Sequence, residues 1–146
     1  IGLSHETSRE ELYRAALEGV AFAMRSIQES ISGSEFTLKS LTLSGGGAKS
    51  SLWAQIFADV FQCDVLVLER AEEVGLIGAL LICGKALGWY TDYHLPPELL
   101  RIAHKYTPQK DHKQLYHDLY AIFRQQFRSL RESWSALQKW RERAYE

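Results

Sequence analysis

Residues 43–53 read Leu43-Ser44-Gly45-Gly46-Gly47-Ala48-Lys49-Ser50-Ser51-Leu52-Trp53: the end of an apolar strand, three glycines, a small residue, then the start of a helix. Consecutive glycines allow backbone conformations that a Cβ forbids, and they let a flat ligand lie directly on the main chain. The first amides of the following helix have no partner within it and face whatever sits above the loop. Such a strand–glycine–helix unit suits a nucleotide, and it places the chain among α/β folds.

Two look-alikes are excluded by spacing. A P-loop requires Gly-Lys-Ser/Thr at its end, whereas Ala48 precedes Lys49; the GxGxxG pattern fails because position 50 is Ser. Spacing alone also leaves open a plain tight turn.

Working outward, Ser8 and Glu11 form an S-x-x-E capping box that opens a helix expected over about 9–31. Leu12, Ala16, Val20, Ala23, Ile27 and Ile31 make one apolar stripe along it. Leu17, Phe22 and Met24 widen that surface, which predicts cover on more than one face. Ser32-Gly33-Ser34 ends the helix. Phe36–Leu43 reads as a strand, 50–61 as a helix burying Trp53, Ile56, Phe57 and Val60, and Val65–Leu68 as a strand covered on both faces. A small, apolar helix follows over about 74–87, then a connection holding Pro96-Pro97 and a short helix near 97–104. A long last helix is expected over about 111–143. Its stripe of Tyr116, Tyr120, Phe123, Phe127, Leu130, Trp134 and Leu137 either packs back on its own chain or forms a dimerising coiled coil. Alternation of helix and strand predicts α/β packing.

At 146 residues the chain makes one ordinary domain, 46% hydrophobic and 24% charged. No apolar run reaches the roughly 18 residues of a membrane span, and no basic-then-apolar leader is visible; the expected location is the cytoplasm. Cys63 and Cys83 lack metal or redox spacing and read as buried free thiols. The five histidines show no ligand spacing, so no metal site is expected. Residues 1–100 carry 7 Lys/Arg against 13 Asp/Glu, and residues 101–146 carry 10 against 5. The basic charges are spread along a helix as a solvated face does, so neither nucleic acid nor membrane is an expected partner.

The glycine segment, continued by Trp53, Gln55 and Ala58-Asp59, resembles the adenosine-binding segment of the FGGY carbohydrate kinases. Three further stretches match in order. Gly2-Leu3 with Glu11-Leu12, Ala15-Ala16-Leu17-Glu18 and Gly19-Val20-Ala21-Phe22 is similar to the signature opening a long helix of that family. Glu73 with Gly78-Ala79-Leu80-Leu81 is similar to its Glu-x-x-x-x-Gly-Ala helix. Tyr106-x-Pro108, His112, Tyr116 and Tyr120 resemble the ending of xylulokinase-like members. Gln62 and Gly75 depart from the pattern, standing where relatives usually have Gly and often have Ala.

The resemblance implies the C-terminal portion of an actin-like (ribonuclease H-like) ATPase domain: residues 1–110 as part of that domain with the adenosine loop, 111–146 as a long helix packed on it. It implies ATP and Mg²⁺ as cofactors, and transfer of the γ-phosphoryl to a hydroxyl of a small sugar held mainly by parts outside this chain. Gly45, Gly46, Gly47, Ala48 and Ser50 would bind ATP, with Ser50 offering its side chain to the adenine edge. The general base and the sugar contacts would lie outside these residues, so the chain looks like a C-terminal fragment, inactive alone. A homodimer is compatible with the family. Lys49 is expected to face solvent, Trp53 the core, and Glu73 to cap the third helix. Two other classes remain open: an actin-like ATP-driven switch, and a non-enzymatic module acting through the heptad helix.

Overall fold

The computed structural model describes residues 2–32, 38–94 and 100–144. The elements are α1 (Arg9–Ser32), β1 (Ser40–Leu43), a 3₁₀ turn (Gly46–Lys49), α2 (Ser51–Phe61), β2 (Asp64–Leu68), α3 (Val74–Ala86), β3 (Ile102–Tyr106), α4 (His112–Ser129) and α5 (Arg131–Ala144). The expected strand start at Phe36, the Gly33-Ser34 stop and Pro96-Pro97 lie outside the described residues.

β1 and β2 pair in parallel, with Leu41 opposite Val65 and Leu43 opposite Val67; β3 runs antiparallel on the other side of β2. This register places Leu41, Val65 and Tyr106 in one row and Leu43, Val67 and His104 in the next. The rows meet α1, α2 and α4 in one core built on Ala21, Phe22, Ile56, Phe57, Val60, Tyr116 and Tyr120. Phe22 sits among Tyr116, Tyr120 and Phe123 with ring centroids 5.5–6.1 Å apart, joining α1 to α4.

The capping box forms as expected: Ser8 N donates to Glu11 Oε2 at 2.8 Å and Glu11 N to Ser8 Oγ at 3.1 Å. These bonds also hold the Glu11 carboxyl below its ordinary value. The stripe expected to bury α1 does not do so. Leu12, Val20, Ile27 and Ile31 are exposed, and α1 packs through Leu17, Ala21 and Phe22 instead. Apolar periodicity identified the helix, but the neighbours present in the chain selected its other side.

Four further expectations are corrected. Residues 102–104 belong to β3 rather than a helix, because Val67 and Leu66 offer ladder partners to His104 and Lys105. β2 is not covered on both faces: Val65 and Val67 are buried, whereas Leu66 and Leu68 are half-buried. The last helix is two helices meeting at Leu130, where Ser129 Oγ bonds back to Gln125 O at 3.1 Å, an arrangement that bends helices. Its aromatic stripe is therefore buried at Tyr116 and Tyr120 in α4, while α5 buries nothing. Finally, Cys63 is buried, with its thiol pushed up by burial, but Cys83 is exposed on α3.

A buried carboxylate fastens α4. Asp59 on α2 accepts from Gln55 Nε2 (3.0 Å) and from Gln109 N (2.8 Å), and its Oδ2 lies 2.8 Å from His112 Nδ1. A carboxylate only accepts, so Nδ1 carries the proton. Gln55 Nε2 also reaches Thr107 O at 2.9 Å, so α2 holds the whole β3–α4 turn.

Candidate functional site

The glycine loop leaves the sheet at the carboxyl end of β1, the end at which parallel strands present ligands. Gly45 has φ 75° and ψ −166°, a conformation restricted to glycine. It sets the loop by donating its amide to Ala71 O at 2.7 Å. Gly46 starts a 3₁₀ turn closed by Ala48 N to Gly45 O (3.1 Å) and Ser50 N to Gly47 O (3.1 Å). The amides of Gly46 and Gly47, first in that turn, have no carbonyl inside it to bond.

The five predicted site residues come together in this one turn, but with different duties. A Cβ on Gly45 or Gly46 would meet nothing within 4 Å, so there the backbone fronts open space. At Gly47 a Cβ would stand 2.5 Å from Trp53 Cζ3, so this glycine is required by the indole beneath the loop. Ala48 is buried and belongs to the core, which accounts for its size. Ser50 caps α2, its Oγ accepting from Trp53 N at 3.2 Å; the hydroxyl keeps its proton to donate elsewhere.

Trp53 packs against the core through Phe57, as expected, with centroids 5.8 Å apart. Lys49 is exposed but paired: its Nζ lies 2.8 Å from Glu72 Oε2, a second tie between the loop and the turn after β2. Glu73 stands at the N-cap of α3 without a side-chain cap bond; its carboxylate pairs with Arg70 instead. The capping role expected of it is thus not filled. A recess of about 160 Å³ beside the loop is bordered by Ala48, Lys49, Glu69, Glu72 and His104. Sequence reasoning missed the Ala71 carbonyl and Glu72, which bear no recognisable pattern because a backbone acceptor leaves no trace in residue type. Asp59 did carry a signal, as part of the Ala58-Asp59 match.

Among the described residues no three His, Cys, Asp or Glu side chains are placed to hold a metal ion. No described helix is long and apolar enough to cross a membrane.

The C-terminal domain of the FGGY family of carbohydrate kinases matches residues 1–87. The chain belongs to this family. A xylulose kinase of Staphylococcus epidermidis is 27% identical over 124 residues, covering 84% of this chain and 25% of that protein. A glycerol kinase of Francisella tularensis subsp. novicida is 29% identical over 119 residues, 81% of this chain and 24% of its own length. The crystal structure of xylulose kinase from Rhodospirillum rubrum superposes on 90% of the chain with TM-score 0.69 and 30% identity, using 27% of its own chain. The family fold is actin-like, and this chain has it in part. It spans about a quarter of the length of the curated relatives it matches.

Proposed function

We propose that this chain holds the adenosine end of ATP within a longer sugar kinase that phosphorylates a hydroxyl of xylulose or a related ketose, polyol or aldonate. The observation carrying this reading is the turn at Gly45–Gly46, where a backbone conformation reserved for glycine fronts open space at the end of a parallel strand. A nucleoside can lie against that main chain, and the Ser50 hydroxyl retains a proton for an adenine nitrogen. Phosphoryl transfer depends on positioning and charge stabilisation, and this turn supplies only the positioning of the nucleotide. Mg²⁺, the general base and the sugar contacts belong to residues outside positions 1–146. Kinases named for xylulose and glycerol among the relatives support the reaction class, and the family's aromatic ending leans the substrate toward xylulose.

A coupled ADP-release assay on the full-length protein, against ketoses, polyols and aldonates, tests this reading. Strong turnover with one compound is expected. ATP binding without turnover across the panel would instead favour a nucleotide-driven switch. Residues 1–146 alone are expected to bind ATP weakly and to phosphorylate nothing.

A further inference from the structure

The turn that fronts the candidate ligand combines three adjacent glycines with a short 3₁₀ element, a backbone with little of its own to hold it in one conformation. Such a loop serves a ligand well only if its shape is fixed from outside, because ordering it on binding subtracts from affinity. Among the described residues, three ties fix it. At its start the Gly45 amide donates to Ala71 O at 2.7 Å. In its middle Gly47 rests against the Trp53 indole. At its end Lys49 Nζ lies 2.8 Å from Glu72 Oε2. The first and third ties end on one short segment, which is itself held: Ala71 N donates to Leu68 O (3.2 Å), Glu73 N donates to Arg70 O (2.9 Å), and Arg70 pairs with Glu73. Lys49 also directly precedes Ser50, so fixing Lys49 helps to fix the Ser50 hydroxyl.

We infer that Lys49 is a positioning residue for the nucleotide: paired with Glu72, it locks the far end of the glycine turn, so that ATP meets a preformed surface instead of ordering one. The ammonium acts through the turn and not on the ligand, because Glu72 already holds it. The Lys49 side chain is 64% exposed and that of Glu72 56%, and neither belongs to the core, so the pair adds little to the stability of the fold. Its effect falls on a glycine-rich loop, where a small gain in order is read directly as affinity. The inference rests on the nucleotide reading of this turn.

Calorimetric titration of the full-length protein with ATP, alongside its Tm, tests this. Lys49→Met and Glu72→Gln are each expected to weaken ATP binding about 3-fold, the scale of one exposed ion pair, with the Tm held within about 2 °C. The double variant should bind no more weakly than either single one. Exchanging the pair, Lys49→Glu with Glu72→Lys, should recover most of the loss. A loss on Lys49→Met that Glu72→Gln does not share, and that the exchanged pair deepens, would put the ammonium on the nucleotide itself and overturn the inference. Binding indifferent to both single substitutions would overturn it too, while leaving the nucleotide reading intact. A full-length protein that binds no ATP at all would overturn both.

Discussion

Gly47 lies against the indole of Trp53, so closely that a Cβ on the glycine would stand 2.5 Å from Cζ3 and 2.8 Å from Cε3. The turn that faces the candidate ligand is thus shaped from below by a core side chain. Gly47→Ala is expected to displace the indole and destabilise the protein by about 1–3 kcal/mol, the usual cost of overpacking. Trp53→Leu in the same background should recover part of that loss. Thermal unfolding of the single and double variants measures both, and simple additivity would contradict the contact.

Gly46 behaves oppositely. Its added Cβ meets open space at an ordinary φ, so Gly46→Ala should leave stability within about 0.5 kcal/mol. If adenosine rests on this backbone, the KM for ATP of the full-length protein should rise several-fold while the Tm holds. An unchanged KM would move the nucleotide off the turn.

Asp59 is buried and accepts from Gln55 and Gln109, with His112 Nδ1 as its third partner. Asp59→Ala strands those donors and is expected to cost about 3 kcal/mol, whereas Asp59→Asn keeps one acceptor oxygen and should cost less. Denaturant unfolding of the two variants provides the comparison, and equal losses would mean that only packing volume matters there.

Gln62 ends α2 at φ 54°, ψ 38°, the one non-glycine residue with positive φ among those described. Its side chain reaches back to Asp59 O at 2.5 Å, which offsets part of the strain. Gln62→Gly should stabilise the protein by about 0.5–1 kcal/mol, because the left-handed conformation penalises a Cβ. The rise in Tm reads this directly.

Tyr116 is pushed up to about 12, first by burial and then by its hydrogen bond to Glu18, against the opposing pull of Arg14. The unfolded chain releases this proton near pH 10 and the folded one near 12. The stability it contributes is therefore complete below pH 10 and lost as pH rises toward 12. Tyr116→Phe should flatten the fall in stability across that window. An unaltered pH profile would place the alkaline sensitivity elsewhere, Tyr120 being the next such phenol.

Local signals in the sequence determined the helix start at Ser8–Glu11, the existence of strands ending at Leu43 and Leu68, the glycine turn and the family, because capping, periodicity and glycine spacing act over a few residues. Tertiary structure alone decided the rest. Periodicity marked the Leu12–Ile31 stripe as apolar, but burial depends on which neighbours arrive, and the chain covers the Phe22 side instead. Ile102–Tyr106 became a strand because β2 had an edge to pair, a partner roughly 40 residues away in sequence. The duties within the turn were likewise settled in space. Gly45 and Gly46 front the open side, whereas Gly47 and Ala48 answer to Trp53 and the core, a division that adjacent small residues cannot reveal until the packing beneath them is known.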